Sequence, residues 1–245
     1  MTAEGNGAGD TGRLFDAYAD SYQQTVNDAI GTSGETVEYF ARIKADHVAS
    51  FIGRDTPCRA LDFGCGTGLS TRALANALGS RARIIGVDPS AESIAVARRF
   101  ASDGVVHDLV TANAIPLDTD SMDVAVASCV FHHIDRSEHA RWLGELVRVV
   151  RPGGRVFIFE HNPYNPLTRR VVRLCPFDEG VILLSPGYTR RAMQKAGLVA
   201  TPAHFYFFLP NALGRLRSVE PLLRRVPLGA QYFVTGTKGG AARAA

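Results

Sequence analysis

The sequence predicts an α/β fold with a doubly wound, mostly parallel sheet of seven strands. Short apolar runs typical of buried strands alternate along the chain with stretches that have the 3.6-residue period of amphipathic helices. Helical stretches of about 10–15 residues between strands are typical of crossovers that return the chain in the same direction. Because such crossovers are right-handed, we expect helices on both faces of the sheet.

Each strand and helix can be placed from these patterns. The seven predicted strands are RALDF (59–63), RIIGV (83–87), VVHDLV (105–110), DVAVAS (123–128), RVFIFE (155–160), HFYFFL (204–209) and AQYFVTG (230–236). The predicted helices are 13–28, 35–52, 69–78, 91–100, 136–150, 189–196 and 213–225. Residues 161–187 break the alternation with four prolines, so we expect a cap inserted over the edge of the sheet.

The length of 245 residues suits one domain with a sizeable core. We expect this domain to cover residues 13–245, with a helical lid over residues 13–52. The Gly- and Ala-rich residues 1–12 predict a disordered tail, and residues 238–245 a flexible one.

Composition excludes several classes of protein. The net charge of +3 is too small to indicate a nucleic-acid partner, and no run reaches the roughly 18 apolar residues of a membrane span. The N-terminal MTAEGNGAGDTG has neither the basic start nor the apolar stretch of a signal peptide. The four cysteines have no CxxC or metal-site spacing, which indicates reduced thiols. We therefore expect a cytoplasmic protein that binds neither nucleic acid nor membrane; a homo-oligomer is left open.

A glycine-rich turn follows the first predicted strand, with Gly64, Gly66 and Gly68 in the stretch FGCGTG. In open α/β sheets, ligands bind beyond the carboxyl ends of the strands, and glycine lets a ligand approach bare backbone there. No Gly-Lys-Ser/Thr follows, which excludes a P-loop. Leu69 stands where a dinucleotide-binding turn has its third glycine. The turn therefore predicts a ligand that needs no phosphate clamp.

Two carboxylates stand at the same predicted edge. Asp88 lies twenty residues after Gly68, directly after the second strand, where an acidic residue accepts hydrogen bonds from ribose hydroxyls. Asp62 ends the first strand and suits an ammonium group. Together with the glycines, they predict a site for a ribose and a cationic group.

Four stretches, in this order, resemble the motifs of class I S-adenosylmethionine-dependent methyltransferases: ALDFGCGTG, GVDPS, PLDTDSMDVAVASCVFHHI and ELVRVVRPGGRVFIFE. The resemblance covers about residues 58–160, and FDAYADSY resembles the lid helix of small-molecule members. It implies a Rossmann-like methyltransferase fold, S-adenosylmethionine as cofactor, and a small-molecule methyl acceptor. FEHNPYNPLT also resembles a subset of uncharacterised bacterial methyltransferases, which suggests a biosynthetic role.

The resemblance implies roles for particular residues. The loop would hold the methionine part with Asp62 near its amino group, and Asp88 would bind the ribose with Pro89 beside the adenine. The family's acid at the third-strand turn is replaced by Thr111, so either the Thr111 hydroxyl or the neighbouring Asn113 substitutes for it, or the contact is lost. The expected cofactor-binding residues are Tyr22, Asp62, Gly64, Cys65, Gly66, Gly68, Asp88, Pro89, Thr111, Ala112, Asn113 and Ser128.

Two histidines, His132 and His133, follow the fourth strand, where the methyl group should emerge. Methyl transfer from a sulfonium is an in-line substitution, so positioning supplies most of the catalysis. A base is needed only for an acceptor such as a hydroxyl, and histidine suits that role near neutral pH. Resemblance to small-molecule members favours His133 over His132 as the base; the alternative is that either one packs under the following helix. We expect an oxygen acceptor first, with nitrogen and carbon acceptors left open.

The expected substrate-binding residues are Tyr18, His133, Glu160, His161 and Asn162. A metal at His132, His133, Glu160 and His161 is conceivable. The Asp, Asp, Asn set of metal-dependent catechol methyltransferases cannot be placed here, so no metal is expected. Two rival classes remain. One is an NAD(P)-dependent reductase on the same sheet, and the other a non-catalytic partner protein that binds the cofactor.

Overall fold

A computed structural model describes Asp16 and residues 22–31, 34–110, 114–178 and 180–240. One sheet runs through it in the order β3-β2-β1-β4-β5-β8-β6, and β7 also pairs with β8. The strands are β1 (Cys58–Phe63), β2 (Ala82–Asp88), β3 (Val105–Leu109), β4 (Met122–Ser128), β5 (Val150–His161), β6 (Leu198–Ala200), β7 (His204–Tyr206) and β8 (Gln231–Lys238). Strands β1 to β5 are parallel and β8 is antiparallel to its neighbours. The predicted doubly wound, mostly parallel sheet is confirmed.

Helices connect the strands and cover both faces of the sheet. They are α1 (Tyr22–Ile30), α2 (Val37–Ile52), α3 (Leu69–Leu78), α4 (Ala91–Arg99), α5 (His139–Val149), α6 (Pro166–Leu174), α7 (Pro186–Lys195) and α8 (Glu220–Leu223). Short 3-10 turns cover Phe131–His133, Pro176–Asp178 and Asn211–Val219. Side-chain caps fix several helix starts: Ser90 Oγ accepts the Ser93 N–H at 3.0 Å, and Asn165 Oδ1 accepts the Leu167 N–H at 2.9 Å.

The core consists of two apolar layers, one on each face of the sheet. Ala60 and Phe157 pack with α2 and α3 on one face. Their neighbours Leu61 and Ile158 pack on the other face with Trp142 and the rest of α5 and α7. Because successive strand residues point to opposite faces, strands buried on both sides read as continuous apolar runs. This explains why the sequence pattern identified the central strands well.

The edge next to β8 differs from the prediction, because one edge strand is split into β6 and β7. Both pair with β8 in series: Ala200 lies opposite Gly236, whereas His204 lies opposite Phe233. Pro202 lies in the break and has no N–H for the sheet. The predicted strand 204–209 ends at Tyr206, since Phe207 has a φ of 59°. The sheet therefore has eight strands in seven positions, because β6 and β7 share the position next to β8.

The predicted amphipathic helix 213–225 is also interrupted. A 3-10 turn to Val219 precedes the four-residue α8, and Leu213 has non-helical angles. Gly214 weakens a helix through its backbone freedom, and Pro221 can stand only in a first helical turn.

The tail boundaries can be compared with the prediction only in part. Residues 1–12 and 241–245 lie outside the described residues. Lys238, placed in the flexible tail by the prediction, instead ends β8, and its Nζ donates to Asp120 Oδ1 at 2.6 Å and to the carbonyls of Val147 and Val150. In the described ranges, every helix is too short or too polar to cross a bilayer.

The buried Tyr232 hydroxyl generates a stability prediction. It donates to the Leu184 carbonyl at 2.8 Å and shares a hydrogen bond with Thr189 Oγ1 at 2.8 Å, which joins β8 to α7. Tyr232→Phe removes this hydroxyl and leaves the Leu184 carbonyl and the Thr189 hydroxyl buried without that hydrogen bond. We therefore expect a loss of about 1–2 kcal/mol in the free energy of unfolding. Urea denaturation measures this. The exposed Tyr164, as Tyr164→Phe, is the control and should unfold at the wild-type urea concentration.

Candidate active site

A cavity of about 250 Å³ lies at the carboxyl ends of β1, β2 and β4. Helices α1 and α2 contribute to one wall and α6 to another, through Val26, Lys44 and Val172. Residues from two regions of the predicted site line it together: Gly64, Cys65, Gly66, Asp88 and Pro89 on one side, and Ser128, His132, His133 and His161 on the other. The sheet topology therefore brings the expected cofactor and acceptor residues to a single space.

The glycine loop is held against β2 by backbone hydrogen bonds. The N–H groups of Gly64 and Cys65 both donate to the Val87 carbonyl, at 2.8 and 3.1 Å. Gly64, Gly66 and Gly68 all have positive φ, at 75°, 49° and 80°. A Cβ on Gly64 would lie 2.4 Å from Val130 Cγ2, whereas one on Gly66 would meet no atom of the described residues within 4 Å. Gly66 therefore presents bare backbone to open space, as a close-fitting ligand requires.

Asp88 lies beside this loop at the end of β2. Its Oδ2 accepts the Gly66 N–H at 2.8 Å and its Oδ1 accepts the Ser90 N–H at 2.9 Å. Burial raises the pKa of the Asp88 carboxyl from 3.8 to about 6, and the Asp62 carboxylate adds to this effect. The carboxylate is ionised at neutral pH and retains lone pairs that can accept hydroxyl hydrogens.

Asp62 is not among the residues that line the cavity, so its expected contact with a ligand stays a prediction. It is fully buried behind the loop, where its Oδ2 accepts hydrogen bonds from Ser70 Oγ at 2.6 Å and Thr71 Oγ1 at 2.7 Å. Its Oδ1 has no hydrogen-bond partner within the described part of the chain. Asp62 thus ties β1 to the first turn of α3 and positions the loop from behind.

Lys44 reaches from α2 to the end of β4. Its Nζ donates to Ser128 Oγ at 3.0 Å and Cys129 Sγ at 3.2 Å. Burial would raise the pKa of the Cys129 thiol, but the Lys44 ammonium, with help from His161, lowers it to about 6. Cys129 therefore carries a thiolate at neutral pH, stabilised by Lys44, on the cavity wall.

The two histidines stand in a short 3-10 turn after β4, next to two carboxylates. His132 Nδ1 lies 2.5 Å from Glu160 Oε2, and His133 Nε2 lies 3.3 Å from Asp178 Oδ1. Burial disfavours the charged form of His132, but Glu160 outweighs it and raises the pKa of His132 well above its usual value. Burial and the neighbouring His132 lower the pKa of His133.

Glu160 and Asn162 are not among the residues that line the cavity, so their expected substrate contacts stay predictions. Glu160 is fully buried, does not line the cavity, and acts through His132. Asn162 is also fully buried, and its Nδ2 donates to the carbonyls of Pro227 and Gly229 at 3.1 and 2.7 Å. His161 does line the cavity. Tyr18, the Tyr22 side chain and Thr111, Ala112 and Asn113 lie outside what the structure describes.

The sequence analysis did not predict several cavity residues, among them Lys44, Cys129 and Asp178, which carry ionisable groups. Lys44 stands in a helix, and the spacing of apolar residues in that helix predicts only which residues are buried. Cys129 stood in the quoted SCVF stretch but had no charged neighbour in sequence. Asp178 lies in the insertion 161–187, and no local pattern predicts where an insertion folds back. The rarity of lysine, with only three in the chain, was the one usable signal for Lys44.

The Lys44–Cys129 contact predicts a reactive thiol. At about pH 7, iodoacetamide should label Cys129 first, because its thiol is ionised, whereas burial raises the pKa of Cys58 and Cys65. Lys44→Gln removes the stabilising charge and should slow labelling roughly tenfold. Peptide mass spectrometry measures the rate at each cysteine. Equal rates in wild type and Lys44→Gln would show that Lys44 does not set the reactivity.

Comparison with known proteins finds similarity to methyltransferases. Residues 61–158 match the methyltransferase domain family. The chain is 34% identical over 165 residues to a demethylmenaquinone methyltransferase of Clavibacter sepedonicus, covering 66% of this chain and 62% of that one. Across the curated relatives that it matches, the chain spans 37% to 62% of their length.

Two solved structures share the fold. One is described as a S-adenosylmethionine-dependent methyltransferase, "possible histamine N-methyltransferase", from Thermotoga maritima (TM-score 0.65, 20% identity, 93% of this chain and 99% of that one). The other is geranyl diphosphate C-methyltransferase of Streptomyces coelicolor A3(2) in complex with Mg²⁺, a substrate analogue and S-adenosyl-L-homocysteine (TM-score 0.57, 20% identity, 79% and 74%). Residues 61–158 thus match the methyltransferase domain family, and the sheet that contains them shares its fold with both of these methyltransferase structures.

Proposed function

We propose that this protein transfers the methyl group of S-adenosylmethionine to a hydroxyl oxygen of a small-molecule acceptor in a biosynthetic pathway. The observation that carries the proposal is the single cavity that both the glycine loop and the histidine turn line. A methyl donor and an acceptor must be held in line at about 3–3.5 Å between the reacting atoms, and a shared cavity permits this.

The residues on the loop side fit the cofactor. Gly66 offers backbone with open space beside it, Asp88 offers a carboxylate for the ribose hydroxyls, and Pro89 lines the wall next to it. When bound, S-adenosylmethionine supplies a methyl group on a positively charged sulfur. The protein's part is to orient that group, and the loop does so with a backbone that Val87 and Asp88 fix in advance.

The residues on the histidine side fit an acceptor that must lose a proton. His133 lines the cavity and its Nε2 lies 3.3 Å from Asp178 Oδ1, so Asp178 can stabilise the imidazolium that forms when His133 takes the proton. His132 is the weaker candidate base, since its Nδ1 is engaged by buried Glu160. A carbon or nitrogen acceptor is the second candidate, since the two structures that share the fold are described as a possible N-methyltransferase and a C-methyltransferase.

We also propose a cytoplasmic location and no nucleic-acid partner. The four cysteines are thiols in the structure, which suits a reducing compartment, and the net charge is +3. The name of the Clavibacter relative supports a small-molecule acceptor.

Cofactor binding should depend on pH through Asp88. The ribose hydroxyls need the ionised carboxylate, and burial raises the pKa of Asp88 above that of an unfolded chain, to about 6. A proton therefore competes with the cofactor as the pH falls through that value. Between about pH 7.5 and about pH 5, the Kd for S-adenosylhomocysteine should rise about tenfold. Calorimetry measures this.

Asp88→Asn should bind more weakly at every pH and lose the pH dependence, because the asparagine side chain does not titrate. The matched control is Asp103→Asn at an exposed loop position, which should behave as wild type. Heat from NADPH or NADH in place of S-adenosylhomocysteine would favour the reductase class and overturn the proposal.

Turnover should require His133. In a screen of hydroxyl-bearing acceptors with S-adenosylmethionine, His133→Asn should lower kcat by about 10²–10⁴, because the acceptor keeps its proton. The Kd for S-adenosylhomocysteine should stay at the wild-type value. Formation of S-adenosylhomocysteine, followed by mass spectrometry, is the readout. Undiminished turnover in His133→Asn would rule out this base, and cofactor binding without any turnover would favour the non-catalytic partner class.

A further inference from the structure

His132, His133 and Asp178 form a cluster with the geometry of a metal site. Asp178 Oδ1 lies 3.3 Å from His133 Nε2 and 3.6 Å from His132 Nε2, and the three ligand atoms lie within 4.8 Å of one another. Ligand atoms that share a tetrahedral Zn²⁺ at about 2.0–2.1 Å stand about 3.3 Å apart. Small adjustments of these side chains would therefore bring all three to one ion.

A second, independent feature points to a ligand at this position. The His132 side chain is 1% exposed, and its Nε2 has no hydrogen-bond partner among the residues that the structure describes. Its other ring nitrogen is held by Glu160 at 2.5 Å. Metal-binding histidines characteristically donate their second N–H to a carboxylate in this way, which orients the ring and makes it a better ligand. The Nε2 atom of His132 lies 3.6 Å from Asp178 Oδ1, which is within ion-pair distance and too long for a hydrogen bond.

We propose that His132, His133 and Asp178 bind one divalent transition-metal ion, with Zn²⁺ as the best fit. Two imidazole nitrogens and one carboxylate suit zinc, whereas Mg²⁺ and Ca²⁺ prefer oxygen ligands alone. The cluster also holds two buried or nearly buried carboxylates, Glu160 and Asp178, and a dication offsets their charge. The sequence did not predict this site because it gave no indication that Asp178 meets the histidines.

The site lies where the proposed function needs an activated acceptor. All three residues line the cavity shared with Gly66 and Asp88. Three protein ligands leave one tetrahedral position open, which is typical of catalytic rather than structural zinc. This assignment rests on the proposed function: the open position would take the acceptor's oxygen, and the ion would lower the pKa of that hydroxyl group. With an ion bound, His133 would serve as a ligand instead of the base of the metal-free protein, and the proton of the acceptor's hydroxyl would be lost to solvent.

The cluster also joins two distant parts of the chain. His132 and His133 follow β4, whereas Asp178 ends the 3-10 turn after α6. A bound ion would therefore fasten the segment 161–187 to the sheet. The midpoint temperature of thermal unfolding should rise when zinc is added, because zinc binding adds its free energy to the stability of the folded state.

Calorimetry with ZnCl₂ tests the proposal on untagged protein freed of metal with a chelator. Wild type should bind one Zn²⁺ per chain with a Kd below about 1 µM. Asp178→Asn should raise the Kd at least about hundredfold, and Glu160→Gln about 10–100-fold, because Glu160 only orients His132. Co²⁺ in place of zinc should give the visible absorption of a tetrahedral site in wild type and lose it in Asp178→Asn.

Two control variants check the ligand set. Asp135→Asn alters an exposed carboxylate on the same cavity, and Cys129→Ser removes the nearby thiolate. Both should bind zinc as wild type does. Loss of binding in Cys129→Ser would overturn the assigned ligands, as would unchanged binding in Asp178→Asn. Absence of zinc binding in wild type would overturn the proposed metal site.

Parallel titration with S-adenosylhomocysteine separates the two proposals. Wild type and Asp178→Asn should bind it equally, since Asp178 lies on the acceptor side of the cavity. Cofactor binding without zinc binding would overturn the metal site and leave the proposed function in place. Zinc binding without cofactor binding would support the metal site and overturn the function.

Discussion

The absence of a side chain at residue 64 sets the distance between the two halves of the site. Gly64 has a positive φ, and a Cβ there would lie 2.4 Å from Val130 Cγ2. Val130 begins the turn that carries His132 and His133, so the glycine loop and the histidine turn pack directly against each other. Any larger residue would push them apart, and in-line group transfer is sensitive to displacements of about 1 Å.

Much of the fold could be predicted because the signals are local. The parallel strands β1, β2, β4 and β5 are largely buried on both faces, so each reads as an apolar run. Glycine or proline adjoins several ends of the parallel strands, at Pro57, Gly64, Pro89 and Gly104. The edge was harder to predict. The split between β6 and β7 depends on pairing with β8 across a break at Pro202, and the broken helix near Gly214 depends on weak local preferences. Such choices are decided by tertiary contacts that periodicity does not contain.

The site was predictable to the extent that strand ends carry it. Asp88 ends β2 and His133 follows β4, and the order of strands in a doubly wound sheet brings them to one edge. Lys44 and Asp178 come from a helix and an insertion, whose approach to that edge depends on packing over more than eighty and forty residues of separation, respectively. Asp62 looked like a ligand contact by position, but Ser70 and Thr71 already occupy one of its oxygens.

The place of β8 in the sheet has a consequence for how the chain matures. It is synthesised after β5, β6 and β7, yet it lies between β5 and the edge segments β6 and β7. While a ribosome still holds residues 231–238, β6 and β7 have no strand to pair with, and the Tyr232 anchor for α7 is missing. Translation of β8 must therefore precede closure of this half of the molecule. A nascent chain arrested before it would expose the apolar flank of β5 to chaperones.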